Sequence, residues 1–463
     1  MSLETRETVV NLGYLTATVL FILGLRFLSS PRTARRGNRV AAVGMAIAIV
    51  VTLLDADVVS YGMIAIAVPL GAVIGLVAAR RVAMTAMPQM VALFNGCGGA
   101  AAAAVAVAEW LHSSAAFGPG GSAAVGLGTL IGAISFSGSL VAFGKLQELL
   151  PTRPLLFPLQ RFVNAAVLLL ALGLVAWLTI GRGDAKSLWL LLGTALVLGV
   201  AGTAPIGGGD MPVVIAVLNA MTGLATALTG VVLDNEMLLV AGVLVGASGM
   251  LLTVLMSKAM NRSLANVLFS GFGTPPASIA AAGATSLVAK PTTAEDTAVA
   301  LAYARRVVIV PGYGMAVAQA QHELQSISEA LIQRGVDVQY AIHPVAGRMP
   351  GHMNVLLAEA NVPYERLVEM DQINQVLPQT DVVLIVGAND VVNPAAREDP
   401  SSPIYGMPII NADKAQLAIV LKRGMSVGFA GIDNALFYRD KTRMLFGDAK
   451  KSLHALIDAL KTA

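Results

Sequence analysis

Val307-Val308-Ile309-Val310-Pro311-Gly312-Tyr313-Gly314-Met315-Ala316-Val317 runs from four β-branched residues straight into a G-x-G-x-x-V turn. A short apolar run bounded by Pro and Gly reads as a buried strand, Val307 to Val310. The turn then opens a helix, expected over Met315 to Arg334. Gly312 permits the tight turn and Gly314 lets backbone approach a pyrophosphate, while the helix N-terminus offers free N–H groups and a positive dipole end. Alone the glycine pattern is weak. With a strand before it and a helix after it, the pattern has the context that a dinucleotide site demands.

Downstream the alternation continues. Strands are expected at Val336 to Ile342, Arg366 to Val368, Val382 to Val386, Pro408 to Ile410 and Leu417 to Leu421, with helices at His352 to Ala360 and Asp448 to Leu460. Upstream, Thr292 to Ala304 reads as a short helix with Glu295 and Asp296 in its first turn. Strands alternating with helices imply an α/β doubly wound parallel sheet, a Rossmann-like domain.

The second strand tests which dinucleotide fits. An NAD site wants an acid about 20 residues beyond the glycines, but the stretch there is Val338-Gln339-Tyr340-Ala341-Ile342-His343. A 2′-phosphate wants cations, and Lys422-Arg423 at a later strand end supplies them. NADP is favoured, against the plainer reading of a solvated strand end. Two more loops follow strand C-terminal ends. Gly347 to His352 carries Arg348 for a phosphate, and Gly387-Ala388-Asn389-Asp390 carries Asp390 for the ribose or nicotinamide. Either could be an ordinary turn. His322, His343, His352 and His454 have no triad partner visible in the sequence, and no nucleophile is assigned.

Residues 1 to 262 are different in kind. They hold 15 Lys/Arg and 10 Asp/Glu, against 16 and 18 in the shorter remainder. The whole chain is 56% hydrophobic and 13% charged, about half the charge of an average protein. Apolar stretches of about 20 residues, enough to cross a bilayer, lie near 9–28, 38–55, 58–79, 88–110, 122–144, 162–180, 187–205, 212–233 and 236–257. Nine spans without strand-like alternation imply an all-α polytopic bundle. The first is read as a retained span rather than a signal peptide. Arg26, Arg32, Arg35, Arg36 and Arg39 after span 1, Arg80 and Arg81 after span 3, Lys145, Arg153 and Arg161 after span 5, and Lys258 and Arg262 after span 9 put those loops inside. The N-terminus is then outside and the tail cytoplasmic. The net charge of +3 belongs to this topology, not to nucleic-acid binding. The single cysteine, Cys97, excludes an internal disulfide, and no Cys/His spacing suits a metal.

Glycine pairs Gly71/Gly75, Gly128/Gly132 and Gly242/Gly246 have the spacing of close helix packing. Polar residues at depth are Asn95, Ser135, Ser139 and Asn219, with Asp210 at the cytoplasmic mouth of span 8. The first four either bond neighbouring helices or line a hydrated ion path. Asp210 is either a solvated loop carboxylate or a proton carrier beside a cavity.

Five runs together resemble a known family, the beta subunit of proton-translocating NAD(P) transhydrogenase. They are Pro311 to Ala320, His343 to Asn354, Met444 to Lys450, Gly209 to Val214 and Lys258 to Ser263. Residues 263–292 lose the long apolar period, contain Gly271, Gly273, Pro275, Pro276, Gly283 and Pro291, and read as a linker; the resemblance implies a transmembrane proton-translocating domain before it (1–262) and an NADP(H)-binding domain after it (293–463) in a bacterial inner membrane. It further implies an alpha subunit that binds NAD(H), and a homodimer of the membrane part. Hydride would pass from NADH to NADP+ as protons enter. Asn95, Ser139 and Asn219 would line the path with Asp210 at the junction, and Asp390 would serve in catalysis. NADP(H) would be held, flipped relative to the usual Rossmann ligand, by Gly312, Tyr313, Gly314, Met315, Ala316, Val317, Val345, Ala346, Gly347, Arg348, Gly387, Ala388, Asn389, Asp390, Lys422, Arg423 and the lid Gly428, Phe429, Ala430 and Gly431. The sequence departs from the family at Asn95, where some members carry His, and at Gly424, Phe429 and Ala435, where Ser, Tyr and Pro are common. The competing expectation is a secondary transporter regulated by a cytoplasmic NADP-sensing domain.

Overall fold

The computed structural model describes residues 3–54, 61–113, 117–261, 264, 288–349 and 351–463. The chain forms two compact units, Met1–Pro205 with Ile215–Leu252, and Ile206–Val214 with Thr253–Ala463.

Among the described residues, nine helices are long and apolar enough to cross a membrane: α1 Leu3–Leu28, α2 Pro31–Leu53, α3 Tyr61–Arg81, α4 Met87–Ser113, α5 Pro119–Leu146, α6 Gln160–Thr179, α7 Ala185–Thr203, α8 Met211–Val232 and α9 Glu236–Ala259. Each coincides with an expected span. The largest shift is at α2, which begins seven residues early, so Arg32, Arg35, Arg36 and Arg39 sit on its opening turns rather than in a loop. Pro31 at the first helical position starts it, and Arg36 lies 4.9 Å over the ring of Phe27. Backbone groups near lipid must be satisfied internally, so the helix outruns its apolar stretch.

α5 is the hub of this unit, with 72% of its apolar window buried against none of α3. Its glycines decide that. A Cβ on Gly132 would lie 2.7 Å from the Gly99 carbonyl of α4, so the two backbones touch. Gly242 presses likewise on Ala227 of α8, whereas Gly71 and Gly75 face nothing within 4 Å among the described residues. Two of the three small-residue pairs therefore pack helices, and the third packs none here.

The second unit carries a six-stranded parallel sheet: β1 Arg306–Pro311, β2 Asp337–Ile342, β3 Leu367–Glu369, β4 Val382–Val386, β5 Leu417–Lys422 and β6 Thr442–Phe446, in the order β3-β2-β1-β4-β5-β6. Helices α10 Ala294–Ala302, α11 Tyr313–Ala318, α12 Gln321–Gln333, α13 His352–Glu359, α14 Met370–Val376, α15 Ala395–Glu398 and α16 Ala449–Thr462 complete it. Val307 to Val310 and Val383 to Val386 are fully buried, as expected of strands covered on both faces. Strand order reverses between β1 and β4, which opens a crevice at their carboxyl ends.

Three expectations need correction. Pro408 to Ile410 is not a strand: Pro408 has no N–H, Ile410 bonds the Val391 carbonyl, and the Ile409 carbonyl is taken by the Asn374 amide. β6 was not expected, because Thr442 and Arg443 break the apolar pattern of an edge strand. The single helix from Met315 is two, since Gln319 takes a left-handed φ of 51° and the Ala320 N–H turns back to the Met315 carbonyl. Most of the expected linker 263–292 lies outside the described residues, and the end that is described pairs with β6. Met444 N–H bonds Lys290 and Thr292 N–H bonds Met444, adding a bridge beside β6.

Candidate functional site

At the β1/β4 crevice three glycines bring two loops into backbone contact. Gly312 N–H donates to the Val386 carbonyl (2.9 Å) and Gly314 N–H to the Gly387 carbonyl (2.8 Å). A Cβ on Gly314 would lie 2.8 Å from Gly387 Cα. The space that Gly314 leaves is thus used by the β4 loop, not by a ligand as the motif suggested. Tyr313 is half-buried beside the crevice, the Met315 and Ala316 side chains are buried behind it, and Val317 is exposed.

Three further loops meet here. Arg348 stacks 4.6 Å over the Tyr313 ring, and the far side of the cluster is Phe429, whose ring centre is 5.8 Å from that of Tyr313. Ala430 N–H donates to Asp390 Oδ2 (3.0 Å), and Gly428 packs so closely that a Cβ would meet Asp390 Oδ1 at 2.3 Å. Burial raises the Asp390 carboxyl above its ordinary range, partly offset by the N–H groups of Ala430 and Phe429 and by the Lys422 charge. Its Oδ1 is buried with no hydrogen-bond partner among the described residues. Asn389 is tied through its carbonyl and Oδ1 to the Asn434 amide (3.0 and 3.1 Å). Gly387 and Ala388 form the turn between them.

Lys422 and Arg423 stand at the end of β5. Lys422 donates to the Ser426 carbonyl, and partial burial lowers its pKa against the pull of Asp433 and Asp390. Arg423 pairs with Asp448 at 3.1 Å, both partly exposed, a contact that contributes little in water. Val345, Ala346, Gly347 and Arg348 form the loop leaving β2, while Pro350 in the same motif lies outside the described residues.

In the membrane unit Asn95 Nδ2 donates to Ser139 Oγ (2.9 Å) and Ser135 Oγ (3.3 Å). The Ser135 hydroxyl also reaches the Leu218 carbonyl (2.8 Å) and Thr222 Oγ1 (2.6 Å). One polar cluster thus joins α4, α5 and α8, with Ser135 and Ser139 fully buried. Asn219 is half-buried on α8 and outside this cluster. Asp210 is buried in the turn before α8, within the other unit. Sequence reasoning missed Thr222. A helical Thr commonly bonds the carbonyl four residues back, but here that carbonyl, Leu218, is taken by Ser135. The only available signal was its position three residues after Asn219. Because Ser135 holds three partners at once, Ser135→Ala is expected to lower bundle stability by about 1–2 kcal/mol, read by thermal unfolding in detergent.

The family profile for "NAD(P) transhydrogenase beta subunit" matches residues 10–459. The chain belongs to this family. The NAD(P) transhydrogenase subunit beta of Rhodospirillum rubrum is 50% identical, covering 97% of this chain and 98% of its own length. The protein of the same name from a specific strain of that species gives the same figures. A beta subunit carrying nine apolar helices is a multi-pass membrane protein, and its parallel sheet is the α/β domain expected beside them. Among the described residues there is no His/Cys/Asp/Glu group able to hold a metal.

Proposed function

We propose that this beta subunit binds NADP(H) at the β1/β4 crevice and passes protons among its membrane helices, each process biasing the other. Hydride exchange then takes place with NAD(H) on an alpha subunit. The proposed division is a transmembrane domain 1–262, a linker 263–292 and a nucleotide domain 293–463, in an inner membrane with the N-terminus outside. A homodimer of the membrane part belongs to the same proposal.

The observation that carries the nucleotide reading is the charge at the crevice: β2 ends at Ile342-His343 with no acid, while β5 ends at Lys422-Arg423. A 2′-hydroxyl needs an acid at the end of β2, which is missing, whereas a 2′-phosphate needs cations such as those at the end of β5. The crevice suits such a group in two more respects: the glycine-lined meeting of loops 312–314 and 387–388, and the buried, unpartnered Asp390 Oδ1, an acceptor awaiting a donor. When bound, NADP(H) supplies the nicotinamide that accepts or releases hydride. Lys422 and Arg423 would hold the extra phosphate, Arg348 a backbone phosphate, and Asp390 a ribose or amide donor. Phe429 and Ala430, tied to Tyr313 and Asp390, would exclude water.

For the proton, Asn95, Ser135, Ser139 and Thr222 orient water without titrating, since none is ionisable near neutral pH. Asp210 can bind and release it. The two couples differ only by a phosphate remote from the nicotinamide, so hydride transfer alone lies near balance. One proton moving down 100 mV provides about 2.3 kcal/mol, enough to shift the NADPH to NADP+ ratio roughly 40-fold. Coupling requires that protonation at Asp210 change NADP(H) affinity, and that NADP(H) change proton affinity in return. In vesicles holding the complex with its alpha subunit, Asp210→Asn is expected to lower proton-coupled turnover at least about tenfold. Unchanged coupled turnover would refute the assignment.

A further inference from the structure

Two histidines frame the loop that leaves β2, and both use the same ring atom. The His343 Nδ1 accepts the Val345 N–H (3.2 Å), and the His352 Nδ1 accepts the Arg348 N–H (3.0 Å). The two residues are 2% and 1% exposed. An Nδ1 that accepts from a backbone N–H carries no proton, so each ring is neutral with its proton on Nε2. For His343 that proton has a second anchor, the Pro408 carbonyl at 2.8 Å. The His352 Nε2 is buried with no partner among the described residues, so among them the Arg348 N–H selects its tautomer. Gly347 makes the approach possible: at φ +104° it closes the loop onto the imidazole, and a Cβ there would lie 2.4 Å from His352 Nδ1.

The loop needs such partners. Beyond Ile342 the chain leaves the sheet, and the N–H groups of Val345 and Arg348 have no strand beside them. A buried N–H without an acceptor costs free energy. We propose that His343 and His352 are positioning residues that staple the two ends of the Val345–Arg348 loop through unprotonated Nδ1 atoms, and so aim the Arg348 guanidinium at the nucleotide crevice. The aim is visible in the contact that follows: Arg348 lies over Tyr313, which in turn meets Phe429 of the lid. Burial, the dominant cause at both rings, brings each imidazole down to about 4, reinforced at His352 by Arg348 and opposed at His343 by the Pro408 carbonyl and Asp371. Both therefore stay neutral under ordinary conditions. At position 343 the bond to the residue two ahead is the one an Asn makes in an Asx turn.

This inference rests on the NADP(H) reading, and its test separates the two. Asn places an oxygen near the Nδ1 site and Gln places one near the Nε2 site, so the two amides ask which ring nitrogen matters. In the full complex in detergent, titrated by NADPH fluorescence, His352→Asn is expected to bind within about threefold of the parent. His352→Gln, having lost a buried acceptor, is expected to bind at least about tenfold more weakly. Hydrogen exchange of the 344–351 backbone should be fast in the Gln variant and parent-like in the Asn variant. If folded Asn and Gln variants behave alike in both measurements, the staple does not exist. If the parent fails to bind NADPH, the NADP(H) reading falls, while exchange still decides the staple. Should a variant at 352 not fold, the same pair at His343 decides it.

Discussion

Gly312→Ala is expected to abolish NADPH binding and to destabilise the nucleotide domain at or beyond the upper end of the usual range for overpacking, about 3 kcal/mol. The added methyl would sit 2.4 Å from three atoms: Ala388 Cα, Ala388 N and the Gly387 carbonyl oxygen. All three are backbone, so no side chain can rotate away. The relief must come from separating the ends of β1 and β4, where Gly312 N–H meets the Val386 carbonyl and Pro311 is in register with Val386. That separation opens the crevice on which the proposed site depends, so affinity and stability fall together. Against a total domain stability of about 5–15 kcal/mol, the loss is large enough to read in a thermal melt. Gly424→Ala is the control. Nothing lies within 4 Å of a Cβ there and its φ is unexceptional, so its melting should match the parent within about 0.5 kcal/mol. Equal melting of the two variants would mean that the glycine turn does not hold the strand ends together.

Acid is expected to unfold the nucleotide domain well before carboxylate titration alone would. His343 and His352 go from 6.5 in the unfolded chain to about 4 in the fold, with burial as the main cause. Between those values the unfolded chain binds protons that the folded one refuses. Stability is therefore complete above pH 6.5 and is lost as pH falls toward 4. At about 1.4 kcal/mol per tenfold change in proton affinity, each ring accounts for about 3 kcal/mol of loss. Asp390, raised by burial, works in the opposite sense: it favours the fold when protonated and disfavours it as pH rises through its own titration. It therefore opposes the loss that the two histidines cause as pH falls. Urea unfolding of the nucleotide domain between pH 7.5 and 4.5 reads the slope directly. A flat profile over that interval would show that neither ring is neutral and buried as described, and would remove the support that neutrality lends to the loop staple.

Much of this molecule is legible one segment at a time. The nine spans follow from the run of apolar residues needed to cross lipid, and each expected span found its helix. β1, β4 and β5 follow from β-branched runs, and β6 does not, because Thr442 and Arg443 sit at the sheet edge where polarity is tolerated. The early start of α2 escaped for a related reason: arginines look like loop residues until Pro31 and the backbone's need for hydrogen bonds carry the helix through them. At the crevice, the glycine turn and the Lys422-Arg423 pair were visible as patterns. The tie between Asp390 and Ala430 was not, because nothing local to either predicts the other.

Local composition, then, sufficed for the membrane bundle and the parallel α/β domain, since each depends on residues within a few turns or strand lengths of one another. Which polar groups meet was decided only by tertiary packing. Thr222 joins Asn95 through Ser135 although 127 positions separate them in the chain. Gly314 gives its space to Gly387, and His343 reaches Pro408 across 65 positions. A buried donor must find an acceptor wherever the fold brings one, and that choice is made by distance in space, which the order of residues along the chain does not encode locally.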